Sequence, residues 1–236
     1  MGGSATLKAA DKVIEKATAI AAHALKVAAQ DIKFVDGVFS SPETNRTVTI
    51  KEVASDAQAP GKLPPDMEAG LAATAVHKTP VNNYPNGCHI CEVEIDVDTG
   101  VTEIVRYSVV DDVGTVLNPM LLHGQIHGGV VQVVGQALME DIRFDSTGQI
   151  VTASFMDYAM PRAHDISPMK VESNPVPTKT NPLGTKGCGE AGCVGALPSV
   201  VNAVVNALAE FGVDHIEMPA TPERVWRAIN SAKTVG

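Results

Sequence analysis

Aromatic side chains are nearly absent: only 4% of the 236 residues are Phe, Tyr or Trp. A chain of this length can bury a substantial core, as one large domain or two lobes. That core must be made of small aliphatic side chains on closely packed elements. Positive charge is scarce as well. Lys and Arg number 18 against 27 Asp and Glu, for a formal net charge of −9 and a pI near 5.2. No basic face is available for a phosphate backbone, so nucleic-acid binding is not expected. There are only four cysteines and no signal-like start, which suits a reducing interior and places the chain in the cytoplasm. Clean apolar runs are missing too. The stretch 113–139 is interrupted by Asn118, Pro119, His123, Gln125, His127, Gln132 and Gln136, and 191–209 by Pro198, Ser199, Asn202 and Asn206. Both are too polar for lipid and read as helices enclosed by protein, with no membrane span.

What is present reads as alternating helical and strand patterns. Behind Gly2, Gly3 and Ser4, apolar residues from Leu7 to Ala28 recur on one side of an amphipathic helix, with Ser4 as the natural N-cap. Residues 32–34 and 38–40 flank Asp36-Gly37, a hairpin signal. A short helix is expected near 50–57, and a loop with three prolines over 58–67 suggests a boundary between sub-lobes near 58–71. A short strand is expected at 72–77. The clearest β element runs from Cys88 to Val110, turning at Asp98-Thr99-Gly100, with Glu92, Glu94 and Asp96 on one face and Val93, Ile95 and Val97 on the other. Asn118-Pro119 then opens a helix on which Gln125, Gly129, Gln132 and Gln136 form an uncharged polar stripe. Further strands are expected at 150–155, 169–172 and 216–218, and a last helix begins at Thr221-Pro222-Glu223. The connection 173–189 lacks any regular pattern, which in a compact domain points to function or disorder.

That connection ends in Asn181-Pro-Leu-Gly-Thr-Lys-Gly-Cys-Gly-Glu-Ala-Gly-Cys193, where Gly184, Gly187, Gly189 and Gly192 surround one carboxylate, Glu190. The glycines suggest positive-φ backbone and close approach to another molecule. An apolar helical pattern follows directly, from Val194 to Leu208. Glu190 would sit at the helix N-terminus, presented as a general base. Placed there, it would equally serve as an acidic residue favouring the helix dipole, and spacing alone leaves both readings open.

The run Gly184-Thr-Lys-Gly-Cys-Gly-Glu-Ala-Gly192 resembles the active-site loop of the molybdenum hydroxylases, the family of xanthine dehydrogenase, aldehyde oxidase and aerobic carbon monoxide dehydrogenase. In order along the chain, Glu92–Gly100, Asp112–Pro119, Gly124–Gly128, Gly135–Leu138, Ser154–Tyr158 and Thr221–Trp226 are similar to the same family. What they resemble is the C-terminal part of its molybdenum-binding subunit. The resemblance implies an α/β fold of the α+β kind, with antiparallel hairpins packed on long small-residue helices. Residues 1–236 would form one lobe of a molybdenum-cofactor-binding domain. It implies Glu190 as catalytic base and Gly2, Gly3, Ser4, Gln125, Gly187, Cys188 and Gly189 as contacts to molybdenum-molybdopterin, with no metal ligand on the chain itself. It further implies hydroxylation of an aldehyde or N-heterocycle with oxygen from water, or oxidation of carbon monoxide. The expected partners are the upstream half of the molybdenum subunit, an iron–sulfur subunit, a flavin (FAD) subunit and a small-molecule substrate. A start within a motif suggests a naturally split subunit or an engineered truncation, and the isolated chain is expected to be inactive.

Two other classes compete. One is a cofactor-binding or assembly subunit without turnover. The other is a zinc-stabilised module, because Cys88-His-Ile-Cys91 has C-x-x-C spacing and Cys188 and Cys193 would complete four sulfurs. Against zinc, Cys88 and Cys91 fall on a strand at odd separation and point to opposite faces. Cys193 reads as a buried free thiol. The His123/His127 pair, the one i, i+4 histidine pair, lacks a third ligand and reads as structural.

Overall fold

The computed structural model describes residues 2–166 and 168–233. Its contacts divide the chain into two compact units, 1–80 and 81–236. The division falls downstream of the expected 58–71 boundary: Leu63, Met67 and Leu71 pack on the core of the first unit.

In the first unit, helix α1 (Gly2–Leu25) buries Ala17, Ile20 and Ala21 against Phe39 and against Val53 of helix α2 (Ile50–Asp56). The antiparallel sheet β1 (Lys33–Val35), β2 (Val38–Ser41), β3 (Arg46–Thr49) follows the two-residue turn Asp36-Gly37. Both turn residues have positive φ, 49° and 80°, the geometry that lets a two-residue hairpin match the strand twist. β3 escapes the sequence reading because Arg46-Thr-Val-Thr49 carries only one aliphatic residue. Its partner β2 supplies the ladder. α2 is capped reciprocally: the Thr49 hydroxyl accepts from Glu52 N, and the Glu52 carboxylate accepts from Thr49 N. Ser4 is not an N-cap. The helix already starts at Gly2, so Ser4 lies inside the first turn with 3% of its surface exposed.

In the second unit, β4 (Asn86–Ile95) and β5 (Thr102–Asp112) form the long hairpin, and β6 (Lys170–Ser173) joins β5 in parallel. A bulge opposite Glu92/Val93 leaves Val105 as the extra residue, since Glu92 faces Arg106 and Val93 faces Ile104. The bulge lets Ile104 share the inward face with Tyr107, Val109 and Asp111, all of them buried. Helix α4 (Ala191–Leu208) covers that face and packs on α3 (Pro119–Leu138), and α5 (Pro222–Lys233) closes the core with Val225 and Ile229. Each such aliphatic side chain contributes about 1.5–3 kcal/mol on burial.

The contact between α3 and α4 explains the small-residue composition. A Cβ on Gly192 would lie 2.6 Å from the Ile126 carbonyl and 3.1 Å from Gly129 Cα. The two backbones approach as only glycine permits, and the Cys193 thiol donates to Gly129 O across the seam at 3.5 Å. Asn118 caps α3 through its side chain, which accepts from Leu121 N at 3.1 Å, with Pro119 at N1.

Three expected strands do not form. Residues 72–77 alternate in burial without any ladder partner, 150–155 contributes only the Phe144↔Ile150 bridge, and 216–218 enters the core as irregular chain. A β-favourable stretch becomes a strand only where a neighbouring edge is available to pair with it. Among the described residues, one helical stretch, Ala191–Phe211, is long and apolar enough by length and composition to cross a membrane. Here it is a core helix, with Ala196, Val200, Val204 and Leu208 fully buried.

Candidate active site

The end of β5 and the connection 174–190 are locked together around Asp112. Its Oδ1 accepts from Gly114 N at 2.8 Å and from Val176 N at 2.9 Å, while Oδ2 pairs with the Lys186 ammonium, both side chains largely buried. Gly184 takes φ +68°, and its carbonyl accepts from Thr115 N and Thr178 N, each at 3.0 Å. Asn181 closes the turn by bonding both backbone groups of Thr185. The connection is irregular yet firmly held, and it delivers 187–190 to the start of α4. Asp112 and Lys186 escaped the sequence reading as a pair. The only local signal was an acidic residue next to a Gly turn, and the Lys is 74 residues away.

Burial acts to raise the Asp112 carboxyl pKa, but the hydrogen bond and charge of Lys186 and the two backbone N–H groups outweigh it and hold the value down at about 2. The folded state therefore binds fewer protons than the unfolded chain, whose carboxyl titrates near ~3.9. This stabilisation is complete above pH ~4 and disappears as pH falls toward about 2. Asp112→Asn is expected to flatten the stability profile in that window. Lys186→Met, which strands the carboxylate, should cost roughly 2–3 kcal/mol at neutral pH, between the values for exposed and for fully buried pairs. Urea unfolding at a series of pH values checks both; parallel profiles for Asp112→Asn and the unsubstituted chain would contradict the assignment.

Glu190 occupies the N-cap position of α4 with φ −106° and ψ −4°, and its side chain makes no capping hydrogen bond. The carboxylate is exposed, while its own carbonyl accepts from Val194 N at 2.9 Å. Of the glycines around it, only Gly184 adopts the left-handed backbone. Gly192 serves the helix seam, and a Cβ at Gly187 or Gly189 would meet nothing within 4 Å, so these two are open to an approaching molecule.

Gln125 is brought directly to this loop: its Nε2 donates to Gly189 O at 3.0 Å. The amide stripe is not buried as expected. Gln125, Gln132 and Gln136 are all exposed, because α3 turns its aliphatic side to α4 and leaves the amides outward. A cavity of about 430 Å³ is lined by Gln125, Gly187 and Cys188 together with Thr115, Asn118 and Lys186. A second cavity of about 330 Å³ has Glu190 in its wall, with Asp111 and His89. Gly2, Gly3 and Ser4 lie in the first unit, in the opening turn of α1.

The four cysteines are free, and among the described residues no group of three or more His, Cys, Asp or Glu is arranged to hold a metal ion, which removes the geometric basis for a four-sulfur zinc site. Burial, with a smaller contribution from Glu92, pushes the Cys91 thiol up to about 11, so it stays a thiol. His127 Nδ1 is 2.7 Å from the His123 carbonyl, a structural contact within the helix.

The description of the molybdopterin cofactor-binding domain matches residues 1–167. The chain belongs to this family. It is 38% identical over 226 residues, 95% of its length, to the carbon monoxide dehydrogenase large chain of Afipia carboxidovorans, and it spans 28% of that relative. Reconstituted CO dehydrogenase from Oligotropha carboxidovorans superposes on 99% of the chain with a TM-score of 0.88 at 35% identity, and 29% of that structure is covered. Quinoline 2-oxidoreductase from Pseudomonas putida 86 superposes on 94% with a TM-score of 0.83 at 37% identity, again covering 29% of that structure. Family and fold thus agree with the resemblance carried by the motifs: this is a molybdopterin-binding oxidoreductase family, and the mixed helix and hairpin architecture belongs to its cofactor-binding domain. Glu190 lies beyond the 1–167 match.

Proposed function

We propose that this chain is the base-bearing portion of a molybdenum hydroxylase, equivalent to the C-terminal part of its large subunit. The enzyme would hydroxylate an aldehyde or an N-heterocycle with oxygen from water, or oxidise carbon monoxide. The observation that carries the reading is Glu190 itself: an exposed carboxylate, free of capping duty, at the head of a helix seated tightly against α3. A carboxylate that only stabilised its helix would gain most by bonding the N–H groups at N2 or N3. Glu190 does not, and its oxygens remain available to accept a proton.

The residues around it suit the cofactor. The cavity that holds Gln125, Gly187 and Cys188 has apolar walls from Val116, Leu117, Leu121 and Leu122, with the polar side chains of Thr115, Asn118, Gln125 and Lys186 among them, and these few polar groups would meet the donors and acceptors of a pterin. Gln125, Gly187, Cys188 and Gly189 would hold it. When bound, molybdenum-molybdopterin supplies the two-electron redox chemistry. Glu190 accepts the proton released as the water-derived oxygen is transferred. Gln125 braces the loop through Gly189, keeping the carboxylate on its helix. The remaining half of the cradle, the iron–sulfur clusters and the FAD would belong to an upstream segment and partner subunits, in a cytoplasmic complex with a small-molecule substrate.

Molybdenum analysis of the co-purified complex, together with turnover of aldehyde, N-heterocycle and carbon monoxide, tests the reading. Molybdenum with turnover supports it; molybdenum without turnover of any of the three points to an assembly subunit. For Gln125→Leu, the expected result is lower molybdenum content with little loss of fold, because the exposed amide contributes at most about 1 kcal/mol through its one hydrogen bond. Thermal unfolding alongside metal analysis decides it: a destabilised but fully loaded variant would reassign Gln125 to packing.

A further inference from the structure

Between the end of α3 and Pro161 the chain turns large apolar side chains into solvent. Phe155 is 81% and Met156 96% exposed, and Ile142, Phe144, Val151 and Met160 of the same stretch are exposed as well. The chain has five Phe in all, and the two in this stretch belong to neither hydrophobic core. Burying an aromatic ring is strongly favourable, so a chain this poor in aromatics would gain by placing both inside.

The stretch is held in shape without them. Its two ends are pinned at the last turn of α3, where a Cβ on Gly135 would overlap Glu140 Oε1 and stand 2.6 Å from Pro161 Cγ. The Tyr158 hydroxyl donates to the other Glu140 oxygen, Oε2, at 2.6 Å. Phe144 and Ile150 form a bridge, and Val151 N donates to Arg143 O at 2.9 Å. The turn that carries Phe155 and Met156 is closed from inside. Asp157 N and Tyr158 N both donate to Ser154 O, at 3.0 and 2.8 Å, Ser154 Oγ donates to Asp157 Oδ2 at 2.6 Å, and Met156 N donates to Ser154 Oγ at 3.3 Å. Two large apolar groups thus stand on a prearranged backbone, which leaves little ordering entropy to lose when another surface covers them.

The charged groups of the stretch are satisfied locally: Asp157 by Ser154, Asp145 by Thr147 and Arg143 by Asp141. What faces outward is apolar, the composition of an interface core, where Phe and Met are enriched and charge is depleted. Arg143 is the only cation among residues 142–160, so the basic residues that carry membrane-surface binding are missing. A second copy of the chain fits poorly. Phe155 and Met156 project from a turn, so two copies of the patch would meet convex on convex, and each copy carries a net charge of −9. The chain spans 28% of the carbon monoxide dehydrogenase large chain to which it is similar, which leaves most of a large subunit to supply the covering surface.

We propose that the turn 154–158 docks Phe155 and Met156 into an apolar socket on the part of the molybdenum subunit that this chain does not cover. The proposal rests on reading the chain as the C-terminal portion of that subunit, and not on Glu190 acting as a base.

The test uses the assembled complex with p-benzoylphenylalanine in place of Phe155, and maps the photo-cross-linked peptides by mass spectrometry. The expected cross-link joins position 155 to a peptide from the upstream part of the large subunit. Met156 supplies a reporter that needs no substitution: its thioether should oxidise readily in peroxide in the isolated chain and be protected in the complex. Phe155→Ser combined with Met156→Ser should weaken association with the upstream polypeptide by roughly 30-fold or more, the loss carried by one hot-spot residue. Thermal unfolding of the isolated chain should stay unchanged, because neither side chain packs on a core. A cross-link to a second copy, to an iron–sulfur or flavin subunit or to lipid, equal oxidation of Met156 in both states, or undiminished association of the double variant would each overturn the proposal. Contact and chemistry are read separately: a complex that cross-links as expected and turns over nothing would end the base-bearing reading and leave this surface assigned.

Discussion

Replacing Glu190 with Gln in the assembled, molybdenum-loaded complex is expected to slow substrate-driven reduction by roughly 100- to 10,000-fold, the range over which a positioned base contributes, while cofactor content stays unchanged. Gln keeps the shape of the side chain and still offers hydrogen bonds, but it cannot take up a proton at this position. The substitution should leave the fold intact, since the carboxylate is exposed and makes no capping bond. If Glu190 acted only on the helix dipole, its neutralisation would cost about 1 kcal/mol or less of stability and leave the rate nearly untouched. Single-turnover reduction separates the two cases, because it excludes product release and later electron transfer. A fully loaded Glu190→Gln enzyme reduced at the normal rate would end the general-base reading.

The second large effect is structural. Gly192→Val should destabilise the second unit by at least ~3 kcal/mol, the upper end for overpacking a core, because the obstruction is main chain and not a side chain that can rotate away. The added Cβ would stand 2.6 Å from Ile126 O and 3.1 Å from Val130 N. Relief requires α3 and α4 to separate, which would also break the Cys193 contact to Gly129 and draw Gln125 away from Gly189. Chemical denaturation checks the magnitude. A loss below ~1 kcal/mol would mean that the seam is looser than its geometry implies.

Several features were legible because they are local. Asp36-Gly37 between two short apolar runs sets a two-residue hairpin by backbone sterics alone, and the structure has it. The alternation from Glu92 to Ile95 assigns faces directly, though Val97, expected on the inner face, lies past the strand end and is exposed, and Asn118-Pro119 marks the start of α3 within a residue. The family was legible from motif order, which needs no coordinates. The sequence reading went astray where a partner decides the outcome. Residues 72–77 and 150–155 have strand-like patterns, but a strand needs another chain segment to bond with, and local pattern carries no information about which segments meet.

The amide stripe was placed on the right helix and the wrong side of the surface. Periodicity shows which residues share a face and is silent on which face is covered. Asp111 illustrates the same limit. Its position two residues after Val109 continues the inward face of β5, a signal available in the sequence, yet the burial of a carboxylate there depends on Gly87, His89 and Gly195 from two other segments. Composition, periodicity and turn chemistry thus determined the elements, the small-residue core and the loop that carries Glu190, because those follow from steric and hydrophobic preferences acting within a few residues. The approach of α3 to α4, the anchoring of Lys186 to Asp112 across 74 residues and the joining of His89 to Asp111 were decided only by tertiary packing, because each brings together groups whose chain separation leaves no periodic trace.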